Sequence, residues 1–213
     1  MYKSQARTNY KMWHSPFDMG ELGPFLCESL QIVVGDLNTL SIYLQACRKG
    51  TRLALDQTEY LEDTFAETVH RLASFPYPED MIEIIGQTST IYYLQHTWRV
   101  AAYIFLDTFI RHNPDRRWIS SCTCRRLIDA LCDTETMDWA PYETILLWIL
   151  FVGFAAGRDR EESLWFVQQA DSIARRLQLR TIIDLKRLLK RQLWREDVFE
   201  TPLLELGSSL GLE

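Results

Sequence analysis

The sequence predicts a single all-α domain. Three observations carry that expectation. Apolar residues recur every three or four positions through most of the chain, as on one face of a helix. No segment alternates apolar and polar residues in the manner of a half-buried strand. Third, the run TILLWILFVGFAAG at residues 144–157 carries no charge. A membrane span needs about 20 apolar residues, so a run of this length suits the buried helix of a protein core. The chain has 213 residues, 47% of them hydrophobic, with seven tryptophans, enough to fill one sizeable interior. About seven to nine helices around a central apolar helix are expected. An irregular segment over 1–24 would precede a helical domain over 25–206, with a tail over 207–213.

The elements follow in order. Residues 1–23 carry the turn signals HSP and GELGP. From about 25 to 47, Leu30, Val33, Val34, Leu37, Leu40 and Leu44 step at helical intervals before RKGT breaks the pattern. A second helix is expected over 56–74, with Tyr60, Leu61, Phe65, Val69 and Leu72 on one side. Pro76 and Pro78 stop it, since proline cannot continue a helix. The longest pattern runs over 80–112, where Ile91, Leu94, Trp98, Ala101, Phe105 and Phe109 share a face. Gly86 and the following TST would kink its start, and HNPD closes it. A shorter helix is expected over 118–132. DWAPYE then introduces the core helix over 142–156. In the next helix Glu161 and Glu162 occupy the first turn and Arg175 and Arg176 the last, as the helix dipole prefers. Thr181 with Asp184 resembles a capping box ahead of a final helix reaching to about 198.

Composition narrows the function classes. A formal charge of −6 argues against nucleic acid as the main partner of the whole surface. The five cysteines, Cys27, Cys47, Cys122, Cys124 and Cys132, are odd in number and lack framework spacing, and the first residues contain no apolar signal-peptide core. Reduced thiols in an intracellular compartment are expected. Cys122 and Cys124 form C-x-C without a second ligand pair, so no metal site is expected. His14, His70, His96 and His112 show no metalloprotease spacing, and no nucleophile elbow or glycine-rich phosphate loop occurs. No catalytic residue and no cofactor are expected, and the balance is against an enzyme. His96, in YYLQHTWR, reads either as a ligand contact or as a buried histidine satisfied by a neighbour.

The stretch TIIDLKRLLKRQLWRED sets Lys186 and Lys190 in one i,i+4 row and Arg187 and Arg191 in another, opposite Ile182, Leu185, Leu189 and Leu193. Such a helix reads as a docking face for an acidic partner, a membrane surface or nucleic acid, or as a solvated basic face packed down by its leucines.

The run DWAPYETILLWILFVGFAAG, followed by ESLWFVQQADSIARRLQLRTIIDLKRLLKRQLWREDVFETPLLEL, resembles the C-terminal end of fungal-specific transcription factor regulatory domains. In that family an acidic-Trp turn leads into an LLW-x-LFVG-type helix, then a WF-led helix and a last helix ending in a W-x-x-x-V/F element. The corresponding residues are 138–139, 147–153, 165–179 and 194–199. VVGDLNTLSIYL at 33–44 and YLQHTWRVAAYIFLDTFI at 93–110 are similar to the preceding helices, so the resemblance spans 32–206.

The resemblance implies an all-helical regulatory or effector domain of a zinc-cluster transcription factor. The expected partners are proteins of the transcription machinery or a homodimer partner, and the expected compartment is the nucleus, with the cytoplasm as the alternative. The family's zinc cluster, which uses six cysteines, is absent: there is no C-x₂-C-x₆-C. No direct sequence-specific DNA binding by this chain is therefore expected, and the length of the 144–157 run gives the expectation of no membrane span. Some family members are thought to hold a small apolar ligand inside the helical domain. Here Tyr93, His96, Trp98, Tyr103, Trp148 and Phe151 would supply its aromatic walls and polar handles, or else be plain core. The alternative function is a stand-alone helical small-molecule-binding protein or enzyme of the same ancestry, with His96 or a buried carboxylate as general base.

Overall fold

The computed structural model describes residues 22–77, 90–110, 117–135, 137–158 and 160–213; side chains within it are described except at 117–121. Nine α-helices and no strand occur among these residues. They are α1 (Leu22–Phe25), α2 (Glu28–Arg48), α3 (Leu55–Ser74), α4 (Thr90–Ile104), α5 (Arg117–Cys132), α6 (Glu143–Gly157), α7 (Glu162–Arg176), α8 (Ile182–Leu189) and α9 (Glu196–Ser209). The fold is all-α and forms one domain, as expected.

The uncharged run is the centre of it. Thirteen of the 15 residues of α6 are buried, on every side of the helix. The stretch Ala140–Gly157 is long and apolar enough to cross a membrane by length and composition alone, but 72% of it is buried inside the protein. Its apolar surface is covered by α4, α5, α7, α8 and α9, which leaves no clear membrane span among the described residues. Each such Leu, Ile or Phe contributes about 1.5–3 kcal/mol through burial.

Close approach is set by glycine. A Cβ added to Gly153 would lie 2.4 Å from Cε1 of Phe166, so the buried Phe166 ring of α7 rests on bare α6 backbone. On the other flank Trp98 of α4 and Trp148 of α6 stack with ring centroids 6.2 Å apart. Phe105, Phe109, Phe151 and Phe199 extend this aromatic layer to α9.

Helix ends follow local chemistry. The Thr181 hydroxyl accepts the Asp184 N–H at 3.1 Å and caps α8 as its spacing predicts. Gly50, Gln178 and Gly211 take φ values of 91°, 56° and 67° after α2, α7 and α9. In each case the next residue's N–H returns to a carbonyl five positions back: Thr51 to Ala46, Leu179 to Ala174, Leu212 to Gly207. These are Schellman closures. Arg99, buried in α4, donates to the Leu72 carbonyl at 2.7 Å and so satisfies an orphan acceptor in the last turn of α3.

Four details differ from expectation. Leu22–Phe25 forms a helical turn rather than irregular chain; the remainder of that segment, 1–21, lies outside the described residues, as do Gly86 and HNPD. The end of α4 widens into a π-helix over Phe105–Ile110. The final helix expected to 198 is two helices, broken at 190–195. The break contains neither glycine nor proline; tertiary hydrogen bonds make it. The Leu193 carbonyl accepts the Trp148 indole N–H at 2.8 Å. Arg195, 1% exposed, donates to the Phe109 carbonyl at 2.5 Å and pairs with Asp197 through two nitrogens. The expected tail, 207–213, belongs to the fold: α9 runs to Ser209, and the Glu213 carbonyl accepts the Ile182 N–H at 3.0 Å.

Gly153→Ala should lower stability by about 1–3 kcal/mol, the usual cost of forcing one methyl into a packed core. Urea unfolding followed by far-UV circular dichroism measures it.

Candidate functional site: a cleft between α6 and α7

α6 and α7, in contact at Gly153 and Phe166, both line a cleft of about 560 Å³. From α6 it receives Glu143, Leu146 and Leu150, at helical spacings of three and four. From α7 come Trp165, Gln169, Ser172, Ile173 and Arg176, spaced the same way. The turn between α5 and α6 forms the third wall, with Leu131, Thr134, Glu135, Met137, Asp138 and Trp139.

That turn is held by its own bonds. The Thr134 hydroxyl donates to the Leu131 carbonyl at 2.8 Å and accepts the Trp139 indole N–H at 3.2 Å. The Met137 N–H bonds the Thr134 carbonyl at 3.0 Å. Asp138 accepts the Ala140 N–H at 2.8 Å and starts the 3₁₀ turn Ala140–Tyr142. From behind, the Phe25 ring packs against Tyr142 and Trp139, with centroids 4.9 and 6.3 Å away. The wall is therefore fixed before any partner arrives.

The cleft combines an apolar floor with an acidic rim. Leu146, Leu150 and Ile173 lie low in it, and Trp165 is half-buried. Among the described residues, Glu135, Asp138 and Glu143 face one lining cation, Arg176, and that guanidinium is 2.7 Å from Glu143. Cys132, exposed at the edge, reports the resulting field. Its thiol is pushed above its ordinary value by desolvation and then by Glu135, Asp129 and Asp133. Such a surface can bury apolar side chains and attract positive charge. No nucleophile–base pair lines it, and no group of carboxylate, histidine and cysteine side chains suited to a metal occurs among the described residues.

The sequence-predicted residues lie elsewhere. Trp98, Trp148 and Phe151 have no exposure. Trp148 is spent on Trp98, Phe105 and the Leu193 carbonyl, and Phe151 packs on Trp194 and Phe199 with centroids 5.9 and 5.0 Å away. The Trp98 indole N–H finds no acceptor among the described residues. Tyr93 and Tyr103 are half-buried. None of the six aromatic and histidine candidates lines the cleft.

His96 sits instead in a cationic cluster beside the end of α3. Its Nδ1 lies 3.3 Å from Nη2 of Arg99, and its ring is 5.2 Å from that of Tyr77. Arg99 and Arg126 both lie over the Tyr77 ring, at 4.9 and 5.8 Å. Desolvation first, then Arg99 and Arg126, pull the imidazole from 6.5 down to about 4. It is neutral at pH 7 and accepts from Arg99, so it acts there as a satisfied core histidine.

The basic rows of α8 are largely occupied. Lys186 pairs with Glu200 and with Glu196, the latter at 2.9 Å, and Lys190 lies 3.0 Å from Glu196. Lys186 foremost, with the Trp194 N–H, holds the Glu196 carboxyl down to about 2. Arg187 pairs with Asp184 at 3.0 Å, and Arg191 is exposed. Leu185, Leu189 and Leu193 are buried in the domain, so the apolar face of α8 is not free to dock elsewhere. Cys122 is exposed while Cys124 is buried with its thiol pushed up to about 12, chiefly by desolvation, so the C-x-C thiols do not share a site.

No family model, no curated protein and no solved structure matches the chain. Several cleft residues carry sequence signals of their own (Cys132, the DWAPYE turn, Trp165 and Arg176), but the sequence does not bring them together as a site. Glu135, Gln169 and Ser172 look like ordinary surface positions until α7 is laid against α6.

His96 carries a pH signature. Its folded value lies below its unfolded one, so between about 6.5 and 4 the unfolded chain binds the extra proton. Stability should fall across that window by on the order of 3 kcal/mol. In His96→Asn, which keeps an acceptor for Arg99, this component should vanish from the difference between urea melts at the two ends of the window.

Proposed function

We propose that the protein is a regulatory or effector domain that acts through protein contacts, of the kind found in fungal zinc-cluster transcription factors. The observation that carries this reading is the cleft between α6 and α7. It is a preformed recess with an apolar floor and an acidic rim, on a domain whose aromatic interior is occupied by its own side chains. Such recesses bind protein segments by burying a few apolar anchors and orienting them with charge. The ordered resemblance over 32–206 supplies the regulatory context and the nuclear assignment.

The ligand-sensing branch has weaker support, because Trp98, Trp148 and Phe151 are engaged in core packing. Catalysis has less. Around the cleft Glu143 is committed to Arg176 and Asp138 to the Ala140 N–H, and His96 belongs to the cluster with Arg99, away from the cleft lining.

Fusing the chain to a heterologous DNA-binding domain and measuring a reporter in a fungal host tests the proposal. A change of at least about threefold in expression, in either direction, is the expected result of recruiting a partner. An unchanged reporter with the fusion present at normal level contradicts it.

A further inference from the structure

We propose that the cleft between α6 and α7 is a docking groove for a basic amphipathic helix of a partner protein. The inference rests on the regulatory reading above and specifies what its site recognises.

Three features select this occupant. The first is shape. Trp165, Gln169, Ile173 and Arg176 mark one bank over three turns of α7, and Glu143, Leu146 and Leu150 mark the other over two turns of α6. Residues 165–176 span ~16 Å along the helix axis at 1.5 Å per residue, the length of about three turns of an incoming helix. A recess walled by the side chains of two helices suits a rod presenting anchors at i, i+3/i+4 and i+7.

The second feature is the floor. Leu146, Leu150 and Ile173 are buried in its lining, which also includes the half-buried Trp165. Its indole N–H makes no hydrogen bond among the described residues, so an amphipathic aromatic is offered to whatever enters. Tryptophan is the side chain most often found anchoring such contacts.

Charge is the third. Glu135, Asp138 and Glu143 line the groove, and Asp129 and Asp133 stand close enough to act on the Cys132 thiol. Arg176 offsets only Glu143. An acidic peptide would meet like charge on the rim, while Lys and Arg flanking an apolar stripe would find unopposed carboxylates. The α8 helix of a second copy answers poorly to this description, because its leucines are buried and Lys186 and Lys190 are already paired.

The test uses the whole chain and a fluorescein-labelled 14-residue Leu/Lys helix as probe, with a Leu/Glu peptide of the same apolar stripe as comparator. Fluorescence anisotropy should show binding of the Leu/Lys peptide and at least about tenfold weaker binding of the Leu/Glu one. Glu135→Lys with Gln169→Lys, both at exposed positions without partners, should weaken the Leu/Lys peptide about tenfold. Ser172→Trp, which fills the groove without altering charge, should do the same. Reversal of Glu59 and Glu62 on the remote exposed face of α3 should leave affinity within about twofold. Equal binding of both peptides, or binding indifferent to the groove variants, overturns the proposal. So does a wild-type dimer in sedimentation equilibrium that the groove variants split, which would assign the groove to a second copy. The outcomes separate from those of the regulatory reading. A reporter effect that survives the groove variants sinks the groove and spares the regulatory role; intact peptide binding with a silent reporter does the reverse.

Discussion

A helix without a polar face must be enclosed on every side, and that demand on α6 organises the rest of this protein. Leaving its Leu, Ile, Trp and Phe side chains in water would forfeit about 1.5–3 kcal/mol each. Neighbours therefore crowd around it: α7 by the bare backbone at Gly153, α4 through Trp98, and α8 and α9 around the far flank. Enclosure by short helices leaves polar ends near the core. The Leu193 and Phe109 carbonyls are satisfied by Trp148 and Arg195, each reaching in from a different element. Arg195 is tolerable there because Asp197 meets it through both carboxylate oxygens and Arg48 pairs with the same acid. Burial pushes the Asp197 carboxyl up, yet the two arginines overrule it and hold the group below its ordinary value.

Most of this was legible because local and tertiary preferences agree. The apolar steps of α2, α3 and α4, the charged ends of α7, the Thr181 cap, the proline stop after Ser74 and the enclosed character of 144–157 all express short-range rules. What was illegible lies where a distant partner decides. KRQLWRED has the propensity to stay helical, but Trp148 and Phe109, far away in the chain, draw Leu193 and Arg195 out of register and break it. The π-turn over Phe105–Ile110 likewise has no signal in the local pattern: Phe105, Leu106, Phe109 and Ile110 would share one face of an ordinary α-helix too, and all four are buried.

The site illustrates the same limit from the functional side. Aromatic residues at helical spacing suggested a pocket, yet with close packing their usual fate is to touch one another, and Trp98, Trp148 and Phe151 do. The cleft is assembled from separate stretches of chain: α6, α7 and the turn held by the Thr134 and Asp138 hydrogen bonds. No linear motif encodes that. Its acidity is visible in sequence as scattered Asp and Glu over 129–143, but which of them share a surface follows only from the turn.

Trp98, Trp148 and Phe151 are packed against their own neighbours, and native mass spectrometry tests most directly whether any guest resides among them. The chain should fly at the mass of its 25.1 kDa sequence under gentle conditions, with no stoichiometric adduct. An apolar molecule carried in one-to-one ratio and lost on denaturation would contradict it, and would return Trp98, Trp148 and Phe151 to the role of a ligand's walls.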